Sequence, residues 1–233
     1  MKTKKIILTI LISTLLYSNN SFPITEMREC LNSVLEKTTT FGQKEMDKRF
    51  HKLYHYCSFY GSGFCRSNVY FLLEEIKKLY PQIDLSDFKV LYLTTENRIN
   101  RETQKAKFYV KDAREGRSKS DVKSHPITGW IYHFILEYNG RIYDLDYTNQ
   151  ISSIAKSTYI KNFFISDHST VLNSKMLDTN AQFVSPEEIL LFEVDGEKFV
   201  DNVLAGIDFA DFHRYLENNN IRKQKLIEYM SGN

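Results

Sequence analysis

Residues 130–147, WIYHFILEYNGRIYDLDY, constrain the fold more than any other part of the chain. Two runs rich in aromatic and β-branched residues flank Asn139-Gly140. That dipeptide is the strongest short hairpin signal, because the favoured two-residue turn needs positive φ at both positions. Pairing strands 130–138 and 141–147 through it sets Tyr138 opposite Arg141, Ile135 opposite Asp144 and His133 opposite Asp146. Side chains alternate between faces with period two. One face then carries Phe134, Leu136, Tyr138, Tyr143, Leu145 and Tyr147, and is the better core face. The other carries His133, Ile135, Glu137, Ile142, Asp144 and Asp146. Directly opposed Cβ atoms lie about 5 Å apart, so Asp146 can reach the ring of His133, with Asp144 on the diagonal.

The rest of the chain reads as helices, then strands, then helices. Helices are predicted over 23–37, over 43–56 (amphipathic and basic) and over 65–80, the last ending before Pro81. Strands are predicted over 88–93 and 189–194, a helix over 153–164, and two closing helices over 209–218 and 221–229. Residues 97–124 are densely charged and read as an exposed excursion with one short strand candidate at 107–111. This order predicts an α+β fold with an antiparallel sheet, in a single domain spanning 22–233.

The first 21 residues, MKTKKIILTILISTLLYSNNS, carry Lys2, Lys4 and Lys5 ahead of a twelve-residue apolar run. That run is too short to span about 30 Å of hydrocarbon and suits a secretory signal segment. An uncleaved N-terminal anchor is the alternative. The expectation is an exported protein, periplasmic or secreted, with no stable membrane span once the segment is removed. A net charge of +2 gives no reason to expect a nucleic-acid partner. Sparse Gly and Pro with 15 Tyr and 16 Phe argue against disorder.

Three cysteines, Cys30, Cys57 and Cys65, leave one thiol over in an oxidising compartment. A Cys30–Cys57 disulfide would leave Cys65 free; three unpaired buried thiols are the plainer reading. Cys65 follows Gly61-Ser62-Gly63-Phe64 at the start of a helix, on the stripe 65, 69, 72, 76 and 80 that faces the core. The first amides of a helix are unpaired and partly positive. They favour a thiolate over a thiol and can hold an oxyanion. A free cysteine is also simply a common buried residue, and a His–Asp pair is common on solvated sheet faces. Together the two point to a nucleophile with a base held by a carboxylate.

His51, His55, Cys57 and Cys65 match no standard zinc spacing, so no metal and no cofactor is expected. His125, His168 and His213 are isolated and suit surface or packing roles. No G-x-S-x-G marks a serine nucleophile.

GSGFCRSNVYFLLEEI followed by WIYHFILEYNGRIYDLDYTN resembles the papain-like and transglutaminase-like superfamily over residues 61–148. In that superfamily a Cys opens a central helix, and a His and an acid follow on adjacent antiparallel strands. The resemblance implies Cys65 as nucleophile, His133 as base and Asp146 as orienting acid, with Asp144 as substitute. Gln43 and Asn68 are the candidates for an oxyanion donor. Members include peptidases, cell-wall amidopeptidases, transglutaminases, arylamine acetyltransferases and toxins that deamidate protein glutamines. The expected activity is hydrolysis of a protein or cell-wall peptide amide through a thioester, of the peptidase or cell-wall amidopeptidase type. A secreted glutamine deamidase or transglutaminase-like effector is the alternative, and a non-enzymatic exported binding domain is the alternative of another class. The absence of Trp after Cys65 departs from the commonest pattern and leaves the subfamily open.

Overall fold

The computed structural model describes residues 41–52, 65–99, 106–115, 123–147, 153–174 and 181–232. The expected signal segment, the helix over 23–37, Cys30, Cys57, His55 and the Gly-Ser-Gly turn lie outside the described residues. In chain order the elements are helix α1 (Gln43–Lys52), α2 (Cys65–Leu79), strand β1 (Phe88–Thr94), α3 (Glu96–Ile99), β2 (Ala106–Glu115), β3 (Lys123–Trp130), β4 (Tyr132–Tyr138) and β5 (Arg141–Tyr143). They continue with β6 (Ile154–Ala155), α4 (Lys156–Phe163), α5 (His168–Asn173), β7 (Gln182–Val184), β8 (Leu190–Asp195), α6 (Gly196–Asp201), α7 (Phe209–Asn218), β9 (Lys223–Lys225) and α8 (Leu226–Ser231). The fold is α+β. Among the described residues no helix is long and apolar enough to cross a membrane.

The main sheet runs β6-β5-β4-β1-β8-β9 with every neighbouring pair antiparallel. Its centre is the pairing of β1 with β4, whose alternate residues point to opposite faces. On one face Val90, Tyr92, Phe134, Leu136, Phe192 and Val194 meet the apolar stripe of α2. Cys65, Val69, Leu72, Leu73 and Ile76 of that stripe are all buried, as the helical spacing requires. Leu91, Leu93, Ile135, Ile142 and Leu191 fill the other face.

That second face is covered, not solvated. A three-stranded sheet, β3-β2-β7, lies over it, with Ala106, Phe108 and Val110 in one cluster with Leu91, Leu93 and Ile135. Tyr159 and Phe163 of α4, with Leu226 and Met230 of α8, complete the layer. The charged stretch read as an excursion with a strand candidate at 107–111 therefore supplies a ten-residue strand and part of a second core. Residues 130–138 are likewise two strands. Trp130 closes β3, and β4 starts at Tyr132 in the other sheet. The stretch 221–229 divides into the edge strand β9 and the helix α8, and 153–164 into β6 and α4.

The hairpin forms through the expected turn. Asn139 and Gly140 have φ of 51° and 71°, and Tyr138 pairs with Arg141. The ladder stops at Leu136–Tyr143, so the projected pairings of Ile135 with Asp144 and His133 with Asp146 do not form as strand pairs. The reason is local. The Asp146 amide donates to the Asp144 carboxylate at 2.9 Å, which bends the chain into a side-chain-closed turn. Tyr147, expected on the face of Tyr143, is carried instead into the second core, where it bridges Ala113.

Candidate active site

Because β5 stops after three residues, the stretch of β4 from Tyr132 to Ile135 has no β5 partner. The sheet is open there. Cys65 belongs to the core on the α2 face. His133 shares its side of β4 with Ile135, which belongs to the opposite core. The thiol and the imidazole thus come from opposite faces and meet at the open edge. Cys65 Sγ, a ring nitrogen of His133 and a carboxylate oxygen of Asp146 lie within 4.8 Å of one another. Cys65 is a free thiol, 6 % exposed, and His133 is 1 % exposed.

His133 is held from several sides. Nε2 lies 3.0 Å from Asp144 Oδ1. A carboxylate only accepts, so Nε2–H donates and the tautomer is set. Nδ1 is left for the thiol, and lies 3.7 Å from Asp146 Oδ2. The Trp130 ring sits over the imidazole with centroids 4.1 Å apart. Asp144 is fully buried and also accepts from the Tyr159 hydroxyl at 2.6 Å, besides the Asp146 amide. Three donors on one buried carboxylate are what keep a charge in such a place.

The electrostatics follow from this geometry. Burial pulls the His133 imidazolium toward the neutral form. The charge of Asp144, its hydrogen bond and the nearby Cys65 outweigh that, and hold His133 well above its ordinary value of 6.5. Tyr159 is pushed well up, by burial first and by Asp144 second, so it stays a donor. Tyr132, next to His133 in the chain, is raised to about 12 by burial and then by Cys65.

Of the two oxyanion candidates, the Gln43 side-chain amide is engaged by Asp47 and the Tyr143 hydroxyl. Asn68 lies one turn beyond Cys65 on α2, and its buried Nδ2 has no hydrogen-bond partner among the described residues. Side chains on a helix lean toward its N-terminus, so this amide leans toward the turn that Cys65 opens. Tyr159 and Trp130 are parts of the site that sequence reasoning did not single out. Period-two alternation could not find them, since they come from another helix and another sheet.

Cys65, His133 and Asp146 are also a donor set that could ligate a soft divalent metal, with Asp144 orienting the histidine from behind. His168 and His213 sit in packing roles. His168 stacks on Phe183 with centroids 5.0 Å apart, and His213 Nε2 lies 2.8 Å from the Tyr92 hydroxyl. Comparison with protein-family models and with curated proteins finds no match.

Proposed function

We propose that the chain is an exported papain-like or transglutaminase-like thiol enzyme that cleaves an amide through a thioester, with Cys65 as nucleophile. The observation that carries this is the placement of the Cys65 thiol at the N-terminus of a core helix, against an imidazole whose far nitrogen is held by buried Asp144. His133 is the base, and Asp144 is the acid that orients it. Asp146 lines the thiol side of the ring. An imidazolium held above its ordinary range favours a standing thiolate–imidazolium pair.

In the reaction, Cys65 Sγ attacks the carbonyl carbon, and the oxyanion is held by backbone amides at the start of α2 and by Asn68 Nδ2. Nδ1–H of His133 protonates the leaving amine as the C–N bond breaks. Water then gives a proton back to Nδ1 and attacks the thioester, releasing the acid and restoring the thiol. A peptide amide makes this a peptidase; a glutamine side chain makes it a deamidase, with ammonia as the product.

Alkylation by iodoacetamide tests the reading. Cys65 is expected to react selectively at pH 6 to 7, at least tenfold faster than an ordinary protein thiol, and His133→Ala is expected to remove that advantage. Labelling at the ordinary rate would sink the enzyme reading in favour of a binding domain. Activity that disappears with a chelator and returns with zinc would move the site to metal chemistry. Ammonia release without chain cleavage would choose the deamidase.

A further inference from the structure

The residue after the nucleophile points to the substrate. Arg66 Nη2 donates to the Ile207 carbonyl at 2.8 Å, and its guanidinium lies 4.9 Å from the Phe209 ring centre and 5.9 Å from that of Phe212. Its Nη1 is buried, with no hydrogen-bond partner among the described residues. Arg98, on α3, brings a second guanidinium to the same ring, at 4.7 Å, and lies 5.8 Å from Tyr132. Its Nε is buried without a partner too. Among the described residues neither arginine has a carboxylate within ion-pair distance. Asp208 acts on Arg66 only from a distance, and its carboxylate caps the Asp211 amide. Glu96, on the same short helix as Arg98, pairs with Lys223 at 3.5 Å.

Two like charges therefore converge on Phe209, with Arg66 Nη1 and Arg98 Nε unused among the described residues. Cation–π contact offsets part of the repulsion but satisfies none of those N–H groups. The site is beside the thiol. Arg66 adjoins Cys65 in the chain, and the ring of Tyr132, the residue before His133, lies 4.4 Å from Phe209 and 5.8 Å from the Arg98 guanidinium. A guanidinium fork in partly desolvated surroundings is built for a carboxylate.

We infer that Arg66 and Arg98 form a carboxylate-binding subsite beside Cys65, so that the amide taken by the thiol carries an acidic group next to the bond that breaks. The acidic group is a side-chain carboxylate or a free chain end. This rests on Cys65 being the nucleophile proposed above.

The test uses the full chain and two alkylating agents of one size, neutral iodoacetamide and anionic iodoacetate. The imidazolium of His133 also attracts an anion, so the informative quantity is the change in the iodoacetate to iodoacetamide rate ratio on substitution. Arg98→Gln, at a half-buried surface position, is expected to lower the ratio about tenfold, and Arg98→Lys to lower it less. Arg66→Gln is the second variant, with its folding checked by circular dichroism. A ratio unmoved in Arg98→Gln overturns the subsite while rapid iodoacetamide labelling leaves the nucleophile standing. Slow labelling by both reagents defeats the nucleophile and the subsite with it. Protection of Cys65 by three blocked tetrapeptides identifies the source of the carboxylate: one neutral, one with a single glutamate, one with a free C-terminus. A tenfold advantage of the second assigns a side chain, and of the third a chain end. No advantage of either over the neutral peptide overturns the proposal.

Discussion

Asp144 and Asp146 are two residues apart, yet their chemistry relative to His133 differs. Asp144 is fully buried, holds Nε2 at 3.0 Å and is itself held by Tyr159 and by the Asp146 amide. Asp146 stands 3.7 Å from Nδ1, beyond hydrogen-bond distance. Asp144→Asn is therefore expected to lower kcat/KM by about 10²- to 10⁴-fold, the range set by loss of an orienting carboxylate. It is also expected to move the alkaline limb of the pH profile to lower pH, because the charge that raises His133 is gone. Asp146→Asn, which removes a carboxylate 3.7 Å from the ring and outside hydrogen-bond distance, is expected to move that limb less. Equal shifts in the two variants would refute the assignment. The same imidazolium makes stability depend on pH. Its folded value lies above the unfolded one of about 6.5, so its contribution is complete below pH 6.5 and is lost as pH rises through the folded value. Urea midpoints are expected to fall between pH 6 and pH 9, and His133→Gln is expected to shrink that fall. A fall of the same size in the variant would place its cause elsewhere.

At the scale of elements, the two strongest local signals were legible in the sequence. The stripe from Cys65 to Ile76 names the buried face of α2, and Asn139-Gly140 names the turn between β4 and β5. The end of the hairpin was not legible. Alternation carries on through Asp144, Leu145 and Asp146, and only a side chain bonding its own backbone two residues on ends the ladder at Tyr143. Sequence alternation thus brought both aspartates to His133 but put Asp146 in front, where the geometry puts Asp144. The middle of strand β2 was legible as the short candidate at 107–111, but its full length, Ala106–Glu115, was obscured for a different reason. Ala106, Phe108 and Val110 have the right period, but dense flanking charge outweighs them, and only the apolar face of β1 and β4 opposite explains their burial. Two glycines test the elements by different mechanisms. At Gly140 a Cβ would meet nothing within 4 Å, but φ is 71°, so Gly140→Ala should cost about 1–2 kcal/mol through backbone strain alone. Gly196 opens α6, and a Cβ there would stand 2.7 Å from the Leu85 carbonyl oxygen and 3.0 Å from Phe88 Cβ. Gly196→Ala should cost about 1–3 kcal/mol through crowding between α6 and the start of β1. Thermal or urea melts of the two variants check both; a neutral Gly196→Ala would show that these segments can part without loss.

The whole molecule is built so that the site depends on both of its cores. The thiol is anchored in the layer of α2, α6 and α7, and the imidazole is backed by Trp130 of the small sheet and by Phe163 of α4 in the other layer. Neither layer alone can set the meeting of sulfur and nitrogen, since they come from opposite faces of the sheet between them. Phe108 makes this testable, being 1 % exposed in β2 and in ring contact with Trp130 and Phe164 while standing well away from the thiol's own core. Truncation of a buried phenylalanine costs about 3–5 kcal/mol where the surroundings cannot collapse, whereas a substitution on a solvated excursion stays within about 0.5 kcal/mol. Phe108→Ala is expected to fall in the first range in urea melts. It is further expected to slow Cys65 alkylation under conditions where the chain is still folded, because Trp130 loses one of its packing partners and holds the imidazole less firmly. A variant that loses the stability but keeps the full alkylation rate would show that the second layer supports the fold alone, and that the edge of the main sheet is enough to bring Cys65 and His133 together.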